Sequence, residues 1–353
     1  MRAMHLLVLM AALIGSTALA DQNDGKLDIH WIDVEGGAAT LFVTPAGESI
    51  LIDTGNPGGR DAGRIAKHAK EIAKLTKIDH LVITHYHVDH MGGAAELSKL
   101  MPIGTVYDNG NHEARRNETA GKLDEYLAFK AEKRVVLNPG DKLPVKPRAV
   151  GLASADVPQL TITCLAARQQ TIKAEEHHKE NTHELAKNLV RRSEDKSDNA
   201  NSIVLLIQFG NFEFLDCGDL TWNIEEKLVA PRNLVGTVDV YQVNHHGLDA
   251  SNNPLLIQSV APTVAVFNNG DKKGCQPLAF LAVKNAPSIK AIYQVHKNLR
   301  KDVQNNTTDD MIANHTAQNE CEGHPITLHV AADAKSYTVK VPSRKHEKTF
   351  ETK

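Results

Sequence analysis

Thr84-His85-Tyr86-His87-Val88-Asp89-His90-Met91-Gly92-Gly93 follows an apolar run, His80-Leu81-Val82-Ile83, patterned as a buried strand entering a loop. Three histidines and one aspartate, His85, His87, His90 and Asp89, fall within six positions of it. Imidazole and carboxylate are the usual nitrogen and oxygen ligands of zinc and similar divalent ions. Four such groups on one short loop repel one another and lose hydration unless positive charge sits among them. In an extended segment His85 and His87 project to one side. Asp89 and His90 follow where the chain turns, so they reach a neighbouring point, and the spacing suits two ions side by side better than one.

Strand signals lead up to this loop. Leu27 to Asp33, Thr40 to Thr44 and Ser49 to Asp53 are short β-branched runs broken by Gly36-Gly37 and Pro45-Ala46-Gly47. A helical pattern carries Ile65, Ala69, Ile72, Ala73 and Leu75. Beyond the loop, Gly92 to Leu100 and Leu123 to Ala131 read as helices and Ile103 to Tyr107 as a strand. Val135 to Arg168 reads as β-rich, and Gln169 to Asp198 is a charged insertion, read as a solvated excursion, with His177, His178 and His183. Strands resume at Ile203 to Phe209, Phe212 to Asp216 and Val238 to Val243. Val264-Phe267, Leu278-Lys284 and Ile289-Val295 then alternate strand and helix. Asn298 to Gly323 reads as loop, Ile326 to Val341 as a closing hairpin, and residues 343–353 as a mobile tail. The simplest architecture is one domain of strands packed on strands with helices outside.

A two-metal site needs a bridging carboxylate. Asp219, in Leu215-Asp216-Cys217-Gly218-Asp219-Leu220, stands just past a strand and before a helix, where its two oxygens can span two cations. A histidine pair, His245-His246-Gly247, follows the next strand. Either histidine can supply the last ligand while the other binds substrate or stabilises an oxyanion.

The motif His85-x-His87-x-Asp89-His90-x-Gly92-Gly93 resembles the signature of the metallo-β-lactamase-fold hydrolases. That resemblance implies an α+β four-layer αββα sandwich over residues 21–342, and it favours His246 as the ligand, with His245 left for catalysis. Asp198-Asn199-Ala200-Asn201-Ser202, Gly218-Asp219-Leu220 and His245-His246-Gly247 look like the hydrolase domain of competence-type DNA-uptake proteins and related secreted phosphodiesterases. Asn268-Asn269-Gly270, Gln276-Pro277 and Tyr293 echo the same subgroup. Many superfamily members carry a further histidine ahead of the bridging aspartate. Here Asp198 stands in that region, with a water as the substitute and His183 as an alternative if the insertion folds back. The metal set implied is therefore His85, His87, Asp89, His90, Asp198, Asp219 and His246, with Asp89 and His245 as catalytic groups.

The whole chain bounds this picture. Its 353 residues can bury a substantial core. The balance of 40 Lys+Arg against 43 Asp+Glu offers no general attraction to nucleic acid or to an anionic membrane. Eighteen histidines, several clustered, suit a metal protein. Arg2 and His5, an apolar Leu6 to Ile14 and an Ala18-Leu19-Ala20 end form a signal-peptide pattern over residues 1–20, which places the mature protein in the periplasm or outside the cell, with no membrane contact after cleavage. Cys164 and Cys217 lie in apolar runs as buried thiols, whereas Cys275 and Cys321 lie in polar loops where an oxidising compartment would allow a disulfide. His112, His296 and His324 are ordinarily solvated or structural; His296, at a strand end, is the best placed of them to touch substrate.

The expected activity is hydrolysis by a metal-activated water, with two divalent ions, zinc by default and manganese or iron accepting the same donors. The resemblance implies phosphodiester substrates, nucleic acid among them. The alternatives are a lactam, lactone or thioester, or a non-catalytic metal-containing binding protein.

Overall fold

The computed structural model describes residues 24–148, 157–301 and 305–353, and the expected leader over residues 1–20 lies outside them. The first half contains β1 (Leu27–Trp31), β2 (Thr40–Val43), β3 (Ser49–Ile52), β4 (Ile78–Val82), β5 (Ile103–Asp108) and β6 (Lys133–Val136). Its helices are α1 (Arg60–Glu71), α2 (Val88–Met91), α3 (Ala94–Leu100) and α4 (Leu123–Ala128). Next come β7 (Leu160–Ala167), β8 (Gln170–Thr171), α5 (Glu184–Lys187), β9 (Val204–Phe209), β10 (Phe212–Asp216), α6 (Trp222–Val229) and β11 (Val240–Val243). Then α7 (Pro254–Val260), β12 (Val264–Phe267), α8 (Pro277–Lys284), β13 (Ala291–His296) and β14 (Ile312–Asn314) alternate, and β15 (Ile326–Val330), β16 (Ser336–Val341) and β17 (His346–Glu351) close the chain.

These strands make two sheets, ordered β17-β16-β15-β1-β2-β3-β4-β5-β6 and β14-β13-β12-β11-β10-β9-β7-β8. In each, an antiparallel part gives way to a parallel part, from β3 to β6 and from β10 to β14. Loops at the carboxyl ends of parallel strands are where open α/β sheets place their sites. The loops after β3, β4, β10, β11, β12 and β13 supply the polar residues described below.

Period-two alternation builds the layers. Leu27, Ile29 and Trp31 of β1 face inward against Phe212, Phe214, Val266 and Tyr293 from the other sheet. The intervening His30 turns outward onto His68 of α1, ring centroids 4.9 Å apart. Outside the first sheet, Ile65 and Ala69 of α1, Leu97 of α3 and Leu123 of α4 cover Leu41, Leu51 and Leu81. Outside the second, Leu228, Leu256, Val260 and Phe280 from α6, α7 and α8 cover Tyr241, Val243 and Phe267. The order is helix, sheet, sheet, helix, the αββα sandwich.

The tail differs from expectation. Residues 346–351 form an edge strand paired along its length with β16, Ser336 opposite Glu351 and Val341 opposite His346. Phe350 anchors it by stacking on Tyr337, centroids 5.4 Å apart. Its charges sit on the exposed side, as edge strands require, and that composition mimics a disordered tail. Residues 312–314, inside the expected loop, pair with β13.

The expected Cys275–Cys321 bridge is absent, since all four cysteines are free. Cys275 is buried against Gln294, whereas the Cys321 thiol donates to Asp33 Oδ2 at 3.2 Å.

The insertion is mostly exposed, in keeping with the expected solvated excursion, yet its far end is tied down. The Arg192 guanidinium lies 3.6 Å over the Trp222 ring, Arg191 pairs with Glu226, and Arg115 donates to the Lys196 carbonyl at 2.6 Å.

Candidate metal centre

Asp53, at the end of β3, organises the histidine loop. Its Oδ1 accepts the Thr84 backbone N–H at 2.8 Å, and its Oδ2 accepts the Thr84 hydroxyl at 2.8 Å and lies 2.7 Å from His90 Nδ1. A carboxylate on one ring nitrogen fixes the tautomer and leaves the other nitrogen free for a ligand. His246 is held similarly, its Nδ1 2.9 Å from the Asn268 carbonyl. His245 Nδ1 meets the Ser251 hydroxyl at 3.1 Å.

The Nε2 atoms so aimed converge on one carboxylate. Asp219 Oδ2 lies 3.2 Å from His90, 3.4 Å from His246, 3.5 Å from His245 and 3.9 Å from His85. Asp89 Oδ2 lies 3.4 Å from His90 and 3.2 Å from His246, and Lys273 Nζ pairs with it. Asp89, His90, Asp219 and His246 thus offer one ligand atom each within 4.8 Å of one another.

The backbone is shaped to allow this. His245 and His246 both adopt left-handed φ, +53° and +55°. Such conformations persist only where the surroundings enforce them, and they cluster at functional sites. Gly274 lies so close that a Cβ there would sit 2.0 Å from the His246 carbonyl oxygen.

The other side of the centre is looser. His85 and His87 have ring centroids 4.7 Å apart, but His87 Nε2 turns to Glu118 Oε2 at 2.9 Å. Asp198 does not join them. Its Oδ2 accepts the Tyr86 N–H at 2.7 Å, and its Oδ1 accepts Asn201 Nδ2 at 3.0 Å and lies 3.5 Å from Arg115 Nε. A carboxylate occupied in this way anchors the loop backbone. His183 is the N-cap of α5, accepting from Leu185 N–H, and stays away from the centre.

Charge in the centre is tightly coupled. Burial works against ionisation of Asp219, but His246, His90 and His245 outweigh it and hold the carboxyl well below its usual range. Burial likewise opposes Asp89, and His90, His246 and Lys273 hold it low. His90 is pushed down by burial and, more strongly, up by Asp219, Asp89 and Asp53, ending well above the imidazole range. Burial, then His90 beside it, drives His85 well below that range, and burial lowers His245 to about 4.

Divalent cations fit these residues. His90 Nε2 and His246 Nε2 face each other at 3.2 Å, a contact in which both cannot carry a proton. His85 Nε2 is buried with no hydrogen-bond partner. Both arrangements are resolved by a cation that takes the nitrogen lone pairs.

Three participants were not singled out from sequence. Asp53 was read only as a strand end, and Glu118 and Lys273 were not read at all. A short acidic residue closing a strand next to the histidine loop is the one signal that could have flagged Asp53. Of the loose histidines, His324 is half-buried beside Glu322 and the His112 ring packs near Tyr86. His296 is fully buried against Asp33 rather than placed to touch substrate.

Residues 32–163 match the family model described as metallo-beta-lactamase superfamily. A UPF0173 metal-dependent hydrolase of Cupriavidus necator is 34% identical over 89 residues, 24% of this chain and 27% of its own length. Recombination protein 2 of Haemophilus influenzae is 26% identical over 245 residues, 69% of this chain and 24% of its own length. The chain therefore spans about a quarter of the length of these curated relatives. Among solved structures, zinc-bound PqqB from Methylobacterium extorquens is 12% identical with a TM-score of 0.43, covering 75% of this chain and 97% of that one.

Proposed function

We propose that this chain, whose residues 32–163 match the metallo-beta-lactamase superfamily model, is a metal-dependent hydrolase acting on phosphodiesters. The observation that carries the reading is the convergence of four imidazole Nε2 atoms on Asp219 Oδ2 beside Asp89.

Asp89, His90 and His246 would hold one divalent ion and His85 and His87 another, with Asp219 between them. Zinc is the default, and manganese or iron suits the same donors. The His85/His87 side would be held by fewer protein donors, because the oxygens of Asp198 accept from Tyr86 and Asn201. When bound, such ions supply a nucleophilic water near neutral pH and polarise the scissile oxygen.

The chain's own groups do the rest. Asp53 holds His90 by Nδ1, so that Nε2 faces inward and its proton is the one a cation would displace. His245, kept neutral by burial, stands between the Ser251 hydroxyl at Nδ1 (3.1 Å) and Asn199 Nδ2 at Nε2 (3.3 Å), and the tautomer with its proton on Nε2 would donate to charge developing on the substrate. A cleft is lined by Glu35, Asn56, Arg60, Asp89, Lys273 and Gln318; its two cations are paired with carboxylates, Arg60 with Asp61 and Lys273 with Asp89, and would suit one small phosphoryl group rather than a long polyanion. That agrees with a net charge of −3. The Haemophilus influenzae relative is named a recombination protein, and the resemblance to DNA-uptake hydrolase domains supports the same substrate class. The leader pattern over residues 1–20 supports work in the periplasm or outside the cell. No helix among the described residues is long and apolar enough to cross a membrane.

The test combines metal analysis with assays on bis-p-nitrophenyl phosphate, nitrocefin and a lactone. Close to two metals per chain and phosphodiester turnover, lost in His87→Ala, is the expected outcome. Turnover confined to nitrocefin or the lactone would replace phosphodiesters by carbonyl substrates. Silence on all three with metal present would indicate a binding protein, and full activity without metal would refute the reading.

A further inference from the structure

A second group of ligand-type side chains lies outside this centre. Asp33 and Glu35 come from the turn after β1, His296 from the end of β13, and Cys321 from the loop before β15. Each offers a ligand atom within 4.8 Å of the others. His296 Nε2 lies 2.6 Å from Asp33 Oδ1, 3.3 Å from Glu35 Oε2 and 4.0 Å from Cys321 Sγ. Donors around a tetrahedral zinc stand roughly 3.4 to 3.7 Å apart, given metal–ligand bonds of about 2.0 to 2.3 Å. The observed spacings bracket that range.

Further observations point to a ligand. Glu35 Oε2 is buried and accepts no hydrogen bond, although the Glu35 side chain is 0% exposed. Arg64 Nη1 holds the opposite oxygens, Asp33 Oδ2 and Glu35 Oε1, at 2.9 Å each. It thereby turns Asp33 Oδ1 and Glu35 Oε2 towards His296, as outer partners of metal-binding carboxylates do. The Gly323 backbone N–H donates to Cys321 Sγ at 3.4 Å, whereas burial and the Asp33 carboxylate push the thiol up, so the thiolate a metal requires would form with a cation beside it. Two carboxylates and a thiolate against one guanidinium leave a net charge of −2, matched by a dication.

We propose that Asp33, Glu35, His296 and Cys321 form a separate structural site for a zinc-type divalent cation. Binding releases the Cys321 thiol proton and any proton on His296 Nε2, and no redox change is involved. The ion would tie the C-terminal loop to the 33–38 turn. That turn also reaches the first centre, since Ala38 N–H donates to the Asp89 carbonyl at 3.1 Å.

Cobalt distinguishes the two sites, because the first centre's donors are all nitrogen and oxygen. The full chain reconstituted with Co2+ is expected to show a near-ultraviolet thiolate-to-cobalt charge-transfer band, and to hold one more ion than Cys321→Ala. That variant should lose the band and one ion while keeping the visible bands of the His/Asp centre. Glu35→Gln, which retains the thiol, should lose the extra ion too, so a folding defect in one variant does not decide the matter. Cys217→Ala should keep the band. Wild-type protein with its His/Asp centre loaded and no thiolate band would overturn the proposal and leave a closed network around Arg64. So would a band that survives in Cys321→Ala.

Discussion

Asp53→Asn isolates a single hydrogen bond behind the metal centre. Asp53 has φ +63°, a left-handed conformation that asparagine tolerates nearly as well as aspartate, so the backbone is not strained by the change. The asparagine carbonyl can still accept the Thr84 N–H. Its NH2 group then faces His90 Nδ1, where the carboxylate now accepts at 2.7 Å. Two donors cannot share that contact, so His90 shifts its proton to Nε2 and loses the lone pair aimed at the cluster. Loss of an outer carboxylate partner typically weakens metal binding about 10- to 100-fold, roughly 1.4 to 2.8 kcal/mol. Competition with a chromophoric zinc indicator measures this directly, with hydrolysis rates at saturating metal as a second readout. Affinity should fall by that factor, and activity should recover in part as zinc is raised. An unchanged zinc affinity would refute the argument that Asp53 selects the His90 tautomer.

Lys273→Met removes the cation beside Asp89, and it should raise KM for bis-p-nitrophenyl phosphate about tenfold or more, as loss of one charged hydrogen bond implies. The change in kcat should be smaller than that in KM, zinc content is measured alongside because Lys273 also pairs with Asp89, and an unaltered KM would exclude Lys273 from substrate binding. Glu225 gives a pH signature. It is fully buried and its carboxyl is raised by burial from 4.5 to about 7, while it accepts from Asn252 N, Asn253 N and Asn244 Nδ2. Below about pH 4.5 both folded and unfolded chains hold this proton. Between about 4.5 and 7 only the folded chain keeps it, so this group's contribution makes stability fall as pH rises, by at most on the order of 3 kcal/mol, and level off above. Urea denaturation across pH 4 to 8 should show that slope reduced in Glu225→Gln relative to wild type, and identical slopes would count against the assignment.

The metal loop was legible because its donors are adjacent in sequence and strand ends are marked by apolar runs. Asp219 and His246 were legible for the same reason, each standing one short step beyond a strand. Asp198 was singled out because its residue type and position suit a ligand, while the structure gives its carboxylate a backbone N–H partner, which no side-chain pattern announces. The edge strand at 346–351 escaped notice because its exposed face is charged. The cysteines misled because polar flanking sequence does not reveal that Cys275 is buried under the second sheet.

Period-two apolar runs alternating with helical spacing were enough, by themselves, to determine two layers of strands with helices outside, and ligand chemistry on one decapeptide pointed to a candidate metal centre. Both are local properties, since strand alternation and ligand type are carried by neighbouring residues. Only the tertiary structure decided which imidazole nitrogens point inward, because Asp53, Asn268 and Ser251 set them across separations that the chain order conceals. It also brought Cys321 to Asp33, 288 positions apart, and so assembled a donor set that exists nowhere in the linear chain.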